Sequence, residues 1–359
     1  MKENKPDYSF LFLYTRLPDY FLQCINYLMS TCSANSKAWV VHYDPDKNAP
    51  YEHAQVEARV KLISRSTFQE TMIDSMIRPD IIYIAGWSDA FYTQMVRKRK
   101  HRIPVVMGLD NQWLGTARQR VATAMSPFWL KKICTTIWVA GIPQFEYARR
   151  LGFAPDRIIK GLYCADTSNS TPETKTSPTY NIVYTGRMVG YKRPDWLLKA
   201  FTEILQENAE LNRWKLTLIG SGPLKETLQS GYNKPGQVEF ANFLQPSEVR
   251  NIIARADIFC LPSIDEHWGV VVQEAAAAGL PLLLSDTCGA ASEFLINGFN
   301  GYQFKSRDYQ DFKKKLYWLM TKTSSELQLM GEASKQLSKR ITHESWAANF
   351  KSVLINGTE

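Results

Sequence analysis

The chain lacks several features that would place it quickly. Its 359 residues include six cysteines, at 24, 32, 134, 164, 260 and 288, and none forms a C-x-x-C pair. The five histidines do not cluster with them in sequence, so zinc ligation is not expected. Cys260, within DIFCLPS, reads as an ordinary buried thiol, and reduced structural cysteines fit the cytosol. No run of about eighteen apolar residues occurs, so nothing is expected to span a bilayer. The start, MKENKPDYSFLFLYTR, has too short an apolar core for a signal peptide and is expected to form the first buried strand of a cytoplasmic protein. No nucleic-acid motif accompanies the basic runs RKRKHR (97–102) and KKK (313–315), and a solvated helix face is the simpler reading of each.

What is present is an alternation of apolar runs and amphipathic segments, which argues for βαβ units and parallel sheets. In the first half the expected strands are SFLFLYT (9–15), AWVVHYD (38–44), DIIYIAG (80–86), IPVVMG (103–108) and TIWVAG (136–141). The polar stretch DTSNSTPETKTSPT (166–179) has no apolar period and reads as a linker. The pattern then restarts with NIVYTG (181–186), KLTLIG (215–220), VEFANF (238–243), DIFCLP (257–262), PLLLS (281–285) and GYQF (301–304). The expected fold is α/β: two doubly wound, Rossmann-like domains facing across a cleft, with ligands at the carboxyl ends of the strands. The expected boundaries are 1–165 for the first domain, 180–340 for the second, and 341–359 for a helix that crosses back to the first.

The second half carries the more informative chemistry. In SIDEHWGVVVQEAAAAGLPLL (263–283), Glu266 follows a strand, a helix is expected from Gly269, and Glu274 lies within its first two turns. The backbone N–H groups of Gly269, Val270 and Val271 would then form an anion site at the helix start. The two acids, eight positions apart, are rotated by about 80° beyond two turns, so both can address one ligand. TGRMVGYKRP (185–194) places Arg187 and Lys192 in a strand-to-helix loop, as a planar fork and a point charge for phosphate oxygens. LIGSGP (218–223) adds a glycine turn before another helix. Each element alone has a simpler reading: Glu266 as a dipole-complementing acid, the cations as solvated side chains. In order, they make a diphosphate pocket.

TGR-x4-K, LIGSGP, VEFANFLQPSEV, ADIFCLPS-x2-E-x7-E and AxGLPLLLSDTCG-x3-E-x4-G-x2-G together resemble the donor domain of family 4 glycosyltransferases. That family is retaining, metal-independent and of the GT-B fold. The resemblance covers residues 181 to 304. It implies that Arg187 and Lys192 hold the donor diphosphate and neutralise the leaving group, that Glu266 binds hydroxyls of the donor sugar, and that Glu274 takes the ribose hydroxyls. Phe243 and Leu244 would line the nucleobase slot, and Gly186, Gly220, Gly222, His267 and Trp268 would complete the donor site beside Gly269, Val270 and Val271. Glu293 matches a recurrent acid of the family. Charge develops on the departing diphosphate, and one preorganised contact to it is typically worth ~3–4 kcal/mol. No metal or other cofactor is then needed, and the donor is expected to be a UDP-sugar first and a GDP-sugar next.

The first half departs from the motifs of such relatives. TRLPDYF (15–21) and MGLDNQWLG (107–115) stand where acceptor-side loops are expected. Arg16, Asp19 and Asn111 are candidates for acceptor contacts, and Asp110 for the general base, with a helix cap or turn as its alternative. WSDAFYTQMVRKRKHR (87–102) and TARQRVATAMSPFWLKKI (116–133) mix aromatic and basic residues. Each alone reads as an ordinary amphipathic helix, but together with a net charge of +8 they suggest peripheral contact with an anionic membrane at its inner face. The expected function is sugar transfer to a glycan or lipid-linked acceptor in bacterial surface polysaccharide synthesis. A sugar-nucleotide epimerase and an inactive nucleotide- or glycan-binding module are the alternatives.

Overall fold

The computed structural model describes residues 6–44, 56–167, 179–231 and 236–356. The chain divides into two compact units, Met1–Cys164 with Ile341–Glu359, and Ala165–Arg340. Most of the expected linker, 168–178, lies outside the described residues.

The first unit contains β1 (Ser9–Leu13), α1 (Asp19–Ser30), β2 (Lys37–His42), β3 (Val60–Ser64), β4 (Ile81–Ile84), α2 (Ala90–Arg97), β5 (Val105–Leu109), α3 (Ala117–Trp129), β6 (Thr136–Val139), α4 (Ile142–Arg150) and β7 (Ile158–Lys160). The seven strands form a parallel sheet in the order β3-β2-β1-β4-β5-β6-β7. Parallel strands covered on both faces need unbroken apolar runs, and β4, β5 and β6 are buried at every position. The sequence reading did not include β3 and β7. Both lie at sheet edges and are partly exposed, so neither carries such a run.

The second unit contains β8 (Tyr180–Thr185), α5 (Pro194–Glu207), β9 (Trp214–Ile219), α6 (Lys225–Gly231), β10 (Val238–Ala241), α7 (Pro246–Ala254), β11 (Ile258–Leu261), α8 (Val271–Ala277), β12 (Leu282–Ser285), α9 (Ala291–Phe294), β13 (Gly301–Phe304), α10 (Tyr309–Met320) and α11 (Ser324–Ser338). Its six parallel strands are ordered β10-β9-β8-β11-β12-β13. The amide of Gln273 on α8, only 1% exposed, accepts from the Ala165 N–H at 2.8 Å and donates to the Ser338 carbonyl at 3.0 Å. One side chain therefore holds both the first and the last stretches of this unit.

The final helix, α12 (His343–Asn356), belongs to the first unit. Its Trp346 and Phe350 enter an aromatic cluster on the sheet. Trp346 lies 4.7 Å from Trp138 and Phe350 lies 5.1 Å from Phe12, measured between ring centroids. The Trp346 indole N–H donates to the Leu162 carbonyl at 2.9 Å, so its polar edge is satisfied while the ring is fully buried. Trp346→Ala should cost about 3–5 kcal/mol by emptying this position. Trp346→Phe should keep most of the packing and lose about 1 kcal/mol with the hydrogen bond. Denaturant unfolding curves of the two variants test this, and equal midpoints for Trp346→Ala and the parent would contradict the anchoring role.

Candidate functional site

In the second unit the strand order reverses between β8 and β11, the place where open α/β sheets form a crevice beyond the strand ends. The loops that follow these two strands are bound to each other. The Ile264 N–H donates to the Tyr191 carbonyl at 2.8 Å. This contact brings Lys192, from the first loop, onto Glu266, from the second, as an ion pair between Nζ and Oε2. The Ser263 hydroxyl donates to the same carboxylate oxygen at 3.1 Å. The two side chains are only 16% and 11% exposed, so the pair is largely out of water. Such a pair is costly to break one-sidedly, because the remaining charge loses its counterion.

A second seam joins the loops after β8 and β9. The Gly186 N–H donates to the Ile219 carbonyl at 3.0 Å, and the Met188 N–H to the Ser221 carbonyl at 2.8 Å. The backbones approach so closely that a Cβ on Gly220 would lie 2.1 Å from the Gly186 oxygen, and one on Gly222 would lie 2.5 Å from the Met188 oxygen. Glycine at 220 and 222 is therefore a requirement of the approach. Arg187 sits exposed on this loop, and its carbonyl accepts from the Tyr184 hydroxyl at 3.0 Å. Burial raises the Tyr184 phenol above its ordinary range, with the nearby Glu266 charge adding to the effect. It remains a protonated donor that fixes the loop.

Beyond Glu266 the chain is tied to the loop after β12. The Gly289 N–H donates to the Glu266 carbonyl and the Ala290 N–H to the Trp268 carbonyl, both at 3.0 Å. Helix α8 begins at Val271, two residues later than the expected start at Gly269. Gly269 takes a φ of +91°, a turn conformation natural to glycine, and Val270 occupies the cap position. Glu274 is half-buried on the first turn of the helix, with its N–H directed to the Val270 carbonyl. Trp268 is 3% exposed and meets Phe294 edge-on at 6.1 Å, so its ring backs the loop from inside the core. His267 is exposed, 3.9 Å from Asp265. Phe243 and Leu244 are half-buried between β10 and α7. Glu293 lies on α9, where its carbonyl accepts from Arg340 at 2.9 Å.

The acceptor-side candidates all lie in the first unit, in three distinct settings. Arg16 is exposed and lines a cavity of about 500 Å³ with Thr15, Tyr43, Asp44, Ser88 and Asp89. These residues follow β1, β2 and β4 at their carboxyl ends. The Tyr43 hydroxyl donates to Asp89 at 2.6 Å. Asp110 is not among the residues lining that cavity. Its carboxylate accepts from the Tyr163 hydroxyl at 3.1 Å and from the Asn111 amide at 3.4 Å, while its carbonyl accepts from Gln144 at 3.1 Å. Asp19 is 8% exposed at the first turn of α1, where an acid complements the helix dipole. The sequence reading missed Tyr43, Asp44, Ser88 and Asp89. Each lies just past a strand end, so applying the strand-end rule to every strand would have drawn attention to them.

Residues 167–337 match the model of the family Glycosyl transferases group 1. This segment is similar to group 1 glycosyl transferase domains. An uncharacterized glycosyltransferase of Haemophilus influenzae is 25% identical over 193 residues, covering 53% of this chain and 54% of that one. The D-inositol 3-phosphate glycosyltransferase of Corynebacterium aurimucosum is 26% identical over 214 residues, covering 54% of this chain and 49% of that one. The chain thus spans about half the length of these relatives. Among solved structures, Anabaena HepE in complex with UDP and glucose aligns with a TM-score of 0.71 at 13% identity, covering 97% of this chain and 100% of that one. The apo form of the lipopolysaccharide outer core galactosyltransferase WaaB aligns with a TM-score of 0.67 at 14% identity, covering 98% and 100%. These structures establish the fold as GT-B.

The glycine seam supplies a direct test. Gly220→Ala should destabilise the protein by more than about 1 kcal/mol, because a side chain there must push two backbones apart. Gly190→Ala is the control, since nothing lies within 4 Å of its would-be Cβ. Equal melting temperatures for Gly220→Ala and Gly190→Ala would contradict the close approach.

Proposed function

We propose that the protein is a retaining, metal-independent glycosyltransferase that moves a sugar from a nucleotide-diphosphate donor, a UDP-sugar first and a GDP-sugar next, to a glycan or lipid-linked acceptor. The observation that carries this reading is the shielded Lys192–Glu266 pair at the strand-order reversal of a domain similar to group 1 glycosyl transferases. In the donor complex the diphosphate competes for Lys192. Glu266, still held by Ser263, then turns its acceptor oxygens to hydroxyls of the sugar. Arg187, exposed on the neighbouring loop, adds a second cation to the phosphates. Glu274 takes the ribose. As the anomeric C–O bond breaks, negative charge grows on the departing diphosphate, and Lys192 and Arg187 stabilise it more in the transition state than in the ground state. Asp110 is assigned to the acceptor hydroxyl as general base. HepE, similar in fold, was solved with UDP-glucose, which supports a UDP-sugar as the donor. The proposed setting is surface polysaccharide synthesis, supported by the 37% identity over 113 residues to the putative teichuronic acid biosynthesis glycosyltransferase TuaC of Bacillus subtilis, 31% of this chain and 26% of that one.

Release of nucleoside diphosphate from UDP-, GDP-, ADP- and dTDP-sugars, measured in the presence of EDTA, tests the reading. Release from one donor is expected, with Glu266→Ala and Lys192→Ala each lowering kcat by about 100-fold or more. Interconversion of the sugar without nucleotide release would indicate an epimerase. Binding of a nucleotide sugar without turnover, even with glycan acceptors, would indicate a binding module.

Membrane contact is part of the same proposal. Helix α3 buries only Ser126. Val121, Met125 and Phe128 form a stripe along it, 64%, 50% and 66% exposed, and Leu114 just before it is 61% exposed. Arg118, Arg120, Lys131 and Lys132 are exposed around the stripe. An apolar stripe with a basic border suits the surface of an anionic bilayer. Among the described residues, no helix is long and apolar enough to cross a membrane. Val121→Asp/Phe128→Asp should reduce co-sedimentation with phosphatidylglycerol vesicles at least tenfold and leave the melting temperature unchanged, because both positions are solvent-facing. Equal vesicle binding by variant and parent would remove this contact from the model of function.

A further inference from the structure

We propose that Cys24, Cys164 and His343 form a binding site for a thiophilic divalent cation, zinc(II), in the first unit. The three residues come from α1, from the segment after β7 and from the first position of α12, and nothing in their linear spacing announces them. Their ligand atoms lie within 4.8 Å of one another. Cys24 is fully buried, Cys164 is 2% exposed and His343 is half-buried. In a tetrahedral zinc site, bonds of ~2.3 Å to sulfur and ~2.0 Å to nitrogen place the ligand atoms ~3.4–3.8 Å apart. The group needs to draw in by about 1.4 Å at most to reach that geometry, a change within side-chain torsions.

The surroundings hold the three ligands in place. The Cys24 thiol points to the Cys164 carbonyl at 3.7 Å, and the Cys164 thiol to the Ile341 carbonyl at 3.8 Å. Tyr27, one turn after Cys24 on α1, stacks on the His343 ring at 5.8 Å with an interplanar angle of 29°. The Asn349 amide on α12 donates to the Lys160 carbonyl at 3.0 Å and fixes the helix against the same segment. Rigid supports of this kind preorganise a site.

The charge balance suits a buried position. Each thiol gives up its proton to solvent on coordination, so two thiolates cancel the 2+ charge of the ion. The imidazole binds as the neutral ring, and a water completes the fourth position. No bare charge is then left in the core, and two weak thiol contacts are exchanged for metal–thiolate bonds. The ion would tie together α1, the last residues before the chain leaves the first unit and the first helix after it returns.

The test uses the full chain, reduced and freed of metal, titrated with cobalt(II) and zinc(II). One equivalent of cobalt(II) is expected to give a thiolate charge-transfer band in the near ultraviolet, displaced by zinc(II), with two protons released per ion. Zinc(II) should raise the melting temperature of the parent and of Cys32→Ser, a cysteine outside the group. In Cys164→Ser and His343→Asn, affinity should fall at least tenfold, which is the range for loss of a ligand or its support. Should Cys164→Ser fail to fold, the spectrum, the stoichiometry and the thermal shift of the parent decide alone. Absence of a charge-transfer band, of bound metal after dialysis and of a thermal shift in the parent would overturn the proposal, as would equally tight binding by Cys164→Ser.

Discussion

The Gly186 carbonyl occupies the space where any side chain at position 220 would begin. That contact sets the geometry at the strand ends of the second unit. It lets the loops after β8 and β9 run together as bare backbone, and the Met188 and Ser221 pairing extends the seam by two residues. The next contact, Ile264 to Tyr191, ties the β8 loop to the loop after β11 on its other side. Lys192 and Glu266 meet because these two backbone attachments leave their loops no other course. Side-chain chemistry at this site is downstream of a main-chain constraint.

The electrostatics follow from that placement. A lysine and a glutamate with little access to water neutralise each other at some cost in desolvation, which their attraction and the Ser263 hydrogen bond offset. In the proposed donor complex, an incoming dianion would change this balance by offering the lysine a stronger partner. In the first unit Asp110 is treated differently. Burial is the main cause that pushes Tyr14, Tyr83 and Tyr163 well above the ordinary phenol range, and the Asp110 charge adds to it. Those phenols stay protonated, and the Tyr163 hydroxyl donates a hydrogen bond to the Asp110 carboxylate. The first site is a charge held by a charge; the second is a charge held by neutral donors.

The architecture was legible in the sequence wherever burial was complete. β4, β6 and β11 are buried at every position and read plainly as strands. β3 and β7 did not, because edge strands satisfy only part of that pattern. The partnership of Lys192 with Glu266 could be expected from two loops at neighbouring strand ends. The cavity beside Arg16 was missed because Tyr43, Asp44, Ser88 and Asp89 come from two separate loops and belong to no recognisable motif, so only their place just past strand ends marks them. The start of α8 was placed two residues early: it begins at Val271 because Gly269 is committed to a left-handed turn. A glycine in a sequence shows that such a turn is affordable without showing that it is used.

Gln273 binds the Ala165 amide with one end of its side chain and the Ser338 carbonyl with the other. The beginning and the end of the second unit are therefore neighbours, and in the first unit the Cys164 thiol lies against the Ile341 carbonyl. Topologically, the second unit is an insertion into the first, joined through two adjacent points. Insertions tolerate exchange when their ends lie close together. A lineage could replace the whole of 165–340 without reworking the core that α12 completes.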